Sequence, residues 1–174
     1  MSLIAAPAAD IASLAGPTAA GLPVTPAPED AAVLAMLADL ARTVEASFAP
    51  AGWLIVDEGT IAGLLSLVAV PANGVIAIGY GIAPSRRGKG LATRAVGELL
   101  GISAADSRIV AVTAETATGN LASQRVLVAA RARRKRLSPD GHADRSRRRR
   151  APWLAHRPAM TGCTTPLVAA VDLA

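Results

Sequence analysis

The stretch Val75–Ala92, VIAIGYGIAPSRRGKGLA, decides how this chain is read. An apolar run interrupted by glycines ends at Pro84, a basic turn follows from Ser85 to Gly90, and a helical pattern begins at Leu91. Strand, glycine-rich turn and helix start in that order build an anion site. The first amides of a helix have no acceptor within it and converge on whatever stands in front of them. Glycine lets main chain come close to that group, and Arg86, Arg87 and Lys89 add positive charge. Read from the residues alone, the stretch predicts a diphosphate-bearing ligand held by main chain. Two nucleotide patterns are excluded. The P-loop requires Ser or Thr after Gly88-Lys89, where Gly90 stands, and the dinucleotide fingerprint requires glycine at 93, where Thr93 stands.

What fits is the acetyl-CoA signature Arg/Gln-x-x-Gly-x-Gly/Ala, as Arg87-Gly88-Lys89-Gly90-Leu91-Ala92. Here the chain resembles the GNAT superfamily of acetyl-CoA-dependent N-acetyltransferases. A second segment, Asn120-x-x-Ser123-x-x-Val126-Leu127, is similar to the other CoA-binding segment of that superfamily. Its form is similar to the branch that acetylates ribosomal-protein N-termini and related amines. The resemblance spans roughly Gly52 to Val128. It implies an α/β fold, a mixed and mostly antiparallel sheet with flanking helices, and direct transfer from acetyl-CoA to a primary amine in a ternary complex. It also implies site residues. Main chain around Ile82 and Ala83 would pair with the pantetheine arm, in a slot where parallel neighbours splay at Gly79–Gly81. Amides from Arg87 through Gly88, Lys89, Gly90 and Leu91 to Ala92 would take the diphosphate, and Asn120 would touch the arm from the far side. Leu127 occupies the place where many members carry a tyrosine general acid. The branch assigns that task to the serine of Asn-x-x-Ser, here Ser123; its other reading is a hydrogen bond at the helix start. Glu115 is a candidate base for the amine, or else a solvated turn carboxylate. Tyr80 either packs in the sheet or lines the acceptor pocket.

The rest of the chain is read around that centre. Its 174 residues make one domain. Alanine inflates the 52% hydrophobic fraction, and the aromatics are Phe48, Trp53, Tyr80 and Trp153 alone, so the core must be aliphatic. The single cysteine, Cys163, excludes an internal disulfide framework and a cysteine-built zinc site. No signal peptide is visible and no apolar run reaches spanning length, so the chain reads as soluble and cytoplasmic. Residues 1–27 are expected as a flexible leader or a first strand within Met1–Ala6. Residues 28–130 are expected as the acetyl-CoA-binding core. A helix runs from Pro28 to about Phe48, with Glu29 and Asp30 in its first turn and Val33, Leu37, Leu40 and Val44 as its apolar stripe. Strands Trp53–Val56, Ile61–Val70 and Val75–Pro84 follow, joined by turns at 57–60 and 71–74. Gly79 and Gly81 suggest a bulge or a close ligand approach. A helix from Leu91 to about Gly101 leads to strand Arg108–Ala114, parallel to its predecessor, and a short helix spans Leu121 to about Ala130.

Residues 131–174 break the pattern. Residues 1–130 carry seven Lys/Arg against ten Asp/Glu, a net −3, whereas 131–174 carry eleven against three, a net +8. The Gly-Phe pair and closing β-hairpin of the superfamily are not recognisable, so the hairpin reads as missing or altered. The last sheet edge is then expected to lack its partner, which would suit a homodimer. One reading of the basic, Arg/Ala/Pro-rich region is a solvated tail that touches nucleic acid or the ribosome through 131–150. A catalytically impaired CoA-binding remnant is a further alternative. Another is a frameshift near residues 128–136, because shifted frames in GC-rich genes are rich in Arg, Ala, Pro and Gly. The frameshift hypothesis predicts that one of the other two frames of the gene, translated from there, restores Gly-Phe and a hairpin; if neither does, the hypothesis fails.

Overall fold

A computed structural model describes residues 1–26, 30–117, 119–137 and 167–172, with backbone alone for 131–137 and 167–172. The elements run β1 (Ser2–Ala5), α1 (Ala8–Ser13), β2 (Thr18–Ala19), β3 (Leu22–Pro23), α2 (Ala31–Glu45), β4 (Gly52–Asp57), β5 (Thr60–Leu67) and β6 (Val75–Ile82). A 3₁₀ turn (Pro84–Arg86), α3 (Leu91–Ala105), β7 (Ala111–Thr116), α4 (Leu121–Leu137) and β8 (Leu167–Asp172) complete the chain. Six strands form one mixed sheet in the order β1-β4-β5-β6-β7-β8, and β2 pairs with β3 separately. Among the described strands only β6 and β7 pair in parallel, joined through α3; the other neighbours are antiparallel.

Residues 1–26 are built into the domain. β1 pairs along β4 from Ser2↔Val56 to Ala5↔Trp53, and the Met1 ammonium lies 3.6 Å from Asp57. Ala6, Ile11 and Leu14 of this segment are in the core. The first amide of α1, Ala8 N, donates to Glu45 Oε1 at the end of α2, so one helix caps the other.

Asp30 is the N-cap of α2 rather than a first-turn residue, its carboxylate accepting from Val33 N at 2.8 Å. Such a cap stabilises by about 1 kcal/mol. Glu29 lies outside the described residues. The buried face is Leu34, Ala38, Ala41 and Val44, one residue round from the expected stripe, with Leu37 and Leu40 packed at its border. Ala38 and Ala41 are chosen because small side chains let the helix lie close to its neighbours.

β4 and β5 are apolar and buried on both faces, and with Ile76, Ile78, Leu91, Leu99 and Leu100 they form an aliphatic core. Both expected turns are present, with positive φ at Glu58 and Gly59 and at Asn73 and Gly74, the hand that matches strand twist. β5 stops at Leu67, short of Val70. β7 starts at Ala111, later than Arg108, and runs to Thr116. Gly101, expected near the end of α3, lies well inside it.

The C-terminal edge corrects the expectation from sequence. β8 pairs antiparallel with β7 from Ala111↔Asp172 to Thr116↔Leu167, so β7 does not lack a partner, and the argument for a homodimer from an open edge there loses its basis. The missed signal is the run Leu167–Val171, submerged in alanine-rich sequence. α4 also continues past Ala130 to Leu137. Residues 138–166, including His142, His156, Cys163, Trp153 and most of the basic region, lie outside the described residues. Among the described residues no helix is long and apolar enough to cross a membrane.

The tightest point of the sheet is Gly63. A Cβ there would stand 2.3 Å from Gly81 O and 2.9 Å from Ile82 Cδ1. Gly63→Ala is expected to cost about 3 kcal/mol through backbone displacement and to lower Tm by roughly 6–12 °C. Gly101→Ala, which meets nothing within 4 Å, is expected to stabilise α3 by about 0.5–1 kcal/mol. Thermal and urea unfolding of both variants checks the contrast.

Candidate active site

The parallel ladder between β6 and β7 begins at Val75↔Ala111 and ends at Ile78↔Ala114. Both strands continue, β6 to Ile82 and β7 to Thr116. The next pairs in register, Gly79 with Glu115 and Tyr80 with Thr116, are not made, so the strands diverge there. The expected splay at Gly79–Gly81 is therefore present. The expected bulge is not in β6, whose register with β5 is unbroken from Ile78 to Ile82; it lies where β4 and β5 shift between Ile55 and Val56.

Main-chain direction along β6 follows from two hydrogen bonds. Ala77 O accepts from Val68 N, and Ala83 N donates to Ala62 O, at 2.9 Å each. Odd-numbered residues thus address β5. Because N–H and C=O of one residue point the same way and alternate along a strand, Tyr80 and Ile82 address the gap left by β7. The structure divides the pair expected from sequence: Ile82 faces the gap, whereas the Ala83 amide is committed to β5. Tyr80 main chain, not anticipated, faces the gap as well. Finding it required the pairing register, which sequence does not state.

After the 3₁₀ turn, Arg87 is extended, Gly88 and Gly90 take φ of 78° and 71°, and α3 begins at Leu91. Both glycines are left-handed, a region costly for a residue with a Cβ. Gly90 is the N-cap and offers no side-chain acceptor to the first amides of α3. A Cβ at Gly88 would meet nothing within 4 Å, and one at Gly90 would meet Arg94 Nη1 at 3.6 Å. Arg87, Gly88, Lys89 and Gly90 are exposed, Leu91 is buried in the core and Ala92 is half-buried, so the loop ahead of α3 is open to solvent.

The charges are placed differently from expectation. Arg86 turns away, 3.0 Å from Glu58 and 4.0 Å from Asp57, and moors the loop to the β4–β5 turn. Arg87 folds back, its Nε donating to Ile82 O at 2.9 Å. Lys89 is exposed. Arg94 joins the site unannounced, donating from Nη1 to Lys89 O at 3.1 Å; its position four residues after Gly90, one helical turn on, was the available signal.

Across the gap, α4 starts with Asn120 as its cap, Asn120 Oδ1 accepting from Ser123 N at 3.1 Å. The Ser123 hydroxyl makes no such helix-start bond. It lies 2.8 Å from the Tyr80 hydroxyl, which also donates to Ser123 O at 3.2 Å. Burial of the ring raises the Tyr80 phenol above its ordinary value, and the bond to Ser123 pulls it partly back. Glu115 is not brought to this cluster. It lies within β7 rather than past its end, exposed, opposite Val168 of β8, its carboxylate without an ion pair or hydrogen bond to a described residue. Leu127 is half-buried against the core.

Among solved structures, the chain is similar to RimL, a ribosomal L7/L12 alpha-N-protein acetyltransferase in complex with coenzyme A. The TM-score is 0.51 at 21% identity, over 59% of this chain and 58% of that one. It is similar also to the microcin C7 self immunity acetyltransferase MccE in complex with acetyl-CoA and AMP, with a TM-score of 0.50 at 18% identity, over 59% and 57%. The chain thus matches under two thirds of the length of these proteins, and the likeness is one of fold. No curated protein matches it significantly. Residues 6–133, most of the chain and both glycine-loop and Asn120–Leu127 segments, match the acetyltransferase (GNAT) domain, and the chain belongs to that family.

Proposed function

We propose that this protein is an N-acetyltransferase that moves the acetyl group of acetyl-CoA to a primary amine, either a protein N-terminus or a small amine. One observation carries the reading: the β6–β7 ladder stops at Ile78, and Tyr80 and Ile82 turn main-chain groups into the gap just before an uncapped glycine loop and helix start. That arrangement fits an acyl-CoA. The gap-facing N–H and C=O of Tyr80 and the N–H of Ile82 suit the amides of the pantetheine arm, the Ile82 carbonyl being taken by Arg87 Nε. Amides from Gly88 to Ala92 suit the diphosphate, with Lys89 and Arg94 adding charge. Asn120 is spent on capping α4, so its role is to set that helix against the gap.

Bound acetyl-CoA supplies a thioester carbon open to attack and a thiolate that departs. The chain's part is to hold that group in a dry slot, to receive a neutral amine and to deliver a proton to sulfur. Ser123, whose hydroxyl lies 2.8 Å from that of Tyr80 on β6, is the proposed donor of that proton. Glu115, exposed on β7 one residue from the strand end, takes the ammonium proton through solvent.

Two measurements test the reading. Calorimetric titration of the purified chain with acetyl-CoA is expected to show saturable binding. Thiol release with a panel of amines (serine- and alanine-initiated peptides, free amino acids, spermidine and kanamycin) is expected to identify an acceptor. Gly90→Asp puts a Cβ at a φ of 71° and is expected to cost about 1 kcal/mol while still folding, and to weaken acetyl-CoA binding at least about 100-fold by placing a carboxylate at the proposed diphosphate position. Unchanged affinity in a folded Gly90→Asp variant would remove the loop from the site.

A further inference from the structure

The Tyr80–Ser123 bond joins residues 43 positions apart and spans the split in the sheet, one partner on β6 and the other in the first turn of α4. We propose that Tyr80 is the positioning residue of the transfer, fixing the Ser123 hydroxyl and acting as the source of the proton that Ser123 passes to the departing sulfur. The proposal rests on the acetyltransferase reading above.

The argument starts from acidity. An alcohol alone is a poor acid toward a thiolate, because it would be left as an alkoxide. A phenol is a far stronger acid than an alcohol, its ordinary pKa of about 10 lying within roughly two units of a thiol's, about 8.5, so that protonating the thiolate leaves a tolerable anion behind. Coupling the two lets serine give one proton while it takes another. The geometry supplies the coupling. The phenol proton has two acceptors on the same residue, Ser123 Oγ at 2.8 Å and Ser123 O at 3.2 Å. When it points at the carbonyl oxygen, the serine hydroxyl donates to Tyr80. When it swings to Oγ, the serine proton is freed to point elsewhere. As the C–N bond of the amide forms and the C–S bond breaks, Ser123 Oγ–H goes to sulfur and Tyr80 O–H goes to Ser123. The proton lost by the amine nitrogen returns through solvent to the phenolate, so protons balance. The half-buried ring, raised in pKa by burial, keeps the phenol protonated between turnovers.

Tyr80 is the chain's single tyrosine, so tyrosinate absorbance reads it without interference, with or without a known acceptor. In Ser123→Ala the titration is expected to move to higher pH, since the bond that lowers the phenol is gone, and Ser123→Thr is expected to restore it. With an amine that the parent acetylates, Tyr80→Phe is expected to lower kcat at least about tenfold, with KM and the calorimetric Kd for acetyl-CoA unchanged. Tyr80→Phe combined with Ser123→Ala is expected to be no slower than Ser123→Ala alone. A tyrosine titration that ignores Ser123→Ala, or a Tyr80→Phe enzyme within twofold of the parent kcat, overturns the proposal while leaving the acetyltransferase reading standing. A parent that releases thiol with none of the amines overturns both.

Discussion

Four parallel pairs between β6 and β7, and no fifth, set the terms for the rest of this molecule. Each strand keeps its outer neighbour beyond that point. β6 stays on β5 as far as Ile82, and β7 stays on β8 as far as Thr116. The sheet is therefore two partial sheets sharing one short seam. Backbone groups beyond the seam must find partners: Ile82 O takes Arg87 Nε, and the groups of Tyr80 and the Ile82 amide face the opening. α3 bridges the two parts in sequence, and Tyr80–Ser123 bridges them in space. A sheet paired along its full width would be a sound structural element with no place for a ligand.

The price of the opening is close packing on its closed side. Where β5 and β6 stay together, Gly63 admits Gly81 O so closely that no side chain fits, and the irregular register between Ile55 and Val56 absorbs the local bend. Arg86 then ties the loop after β6 to the β4–β5 turn. As an exposed pair this contributes little stability, and its effect is to fix where the loop begins. Rigidity thus comes from small residues and main chain, in keeping with a core that has few aromatics to spare.

Much of this was legible in sequence because it is local. Turn residues at 57–60 and 71–74, the glycines of the loop, and the helix starting at Leu91 each act over a few positions. The family followed from Arg87–Ala92 and Asn120–Leu127. What was not legible depends on pairing. Whether Ile82 or Ala83 faces the gap is a parity fixed by β5, and nothing in the two residues reveals it. The face of α2 slipped by one because alanine, neutral in any periodicity, turned out to be the buried residue at 38 and 41. β8 was missed because Leu167–Val171 is short, with alanine at two of its five positions, and long-range pairing selects it. Ser123 was found, but its partner was not: a tyrosine in a strand reads as packing until a helix 43 residues away lays a hydroxyl against it.

The amides proposed to hold the ligand, from Gly88 to Ala92, are atoms nearly every amino acid possesses. Backbone amides are indifferent to which side chain they carry, provided the two left-handed corners remain accessible. Drift along the loop and the strands behind it can therefore run far without changing the shape of the grip. An architecture shared at about one residue in five is what such side-chain indifference permits. By the same logic, the constraints on this chain concentrate at a few hinges of geometry, and the side chains around them are free to vary.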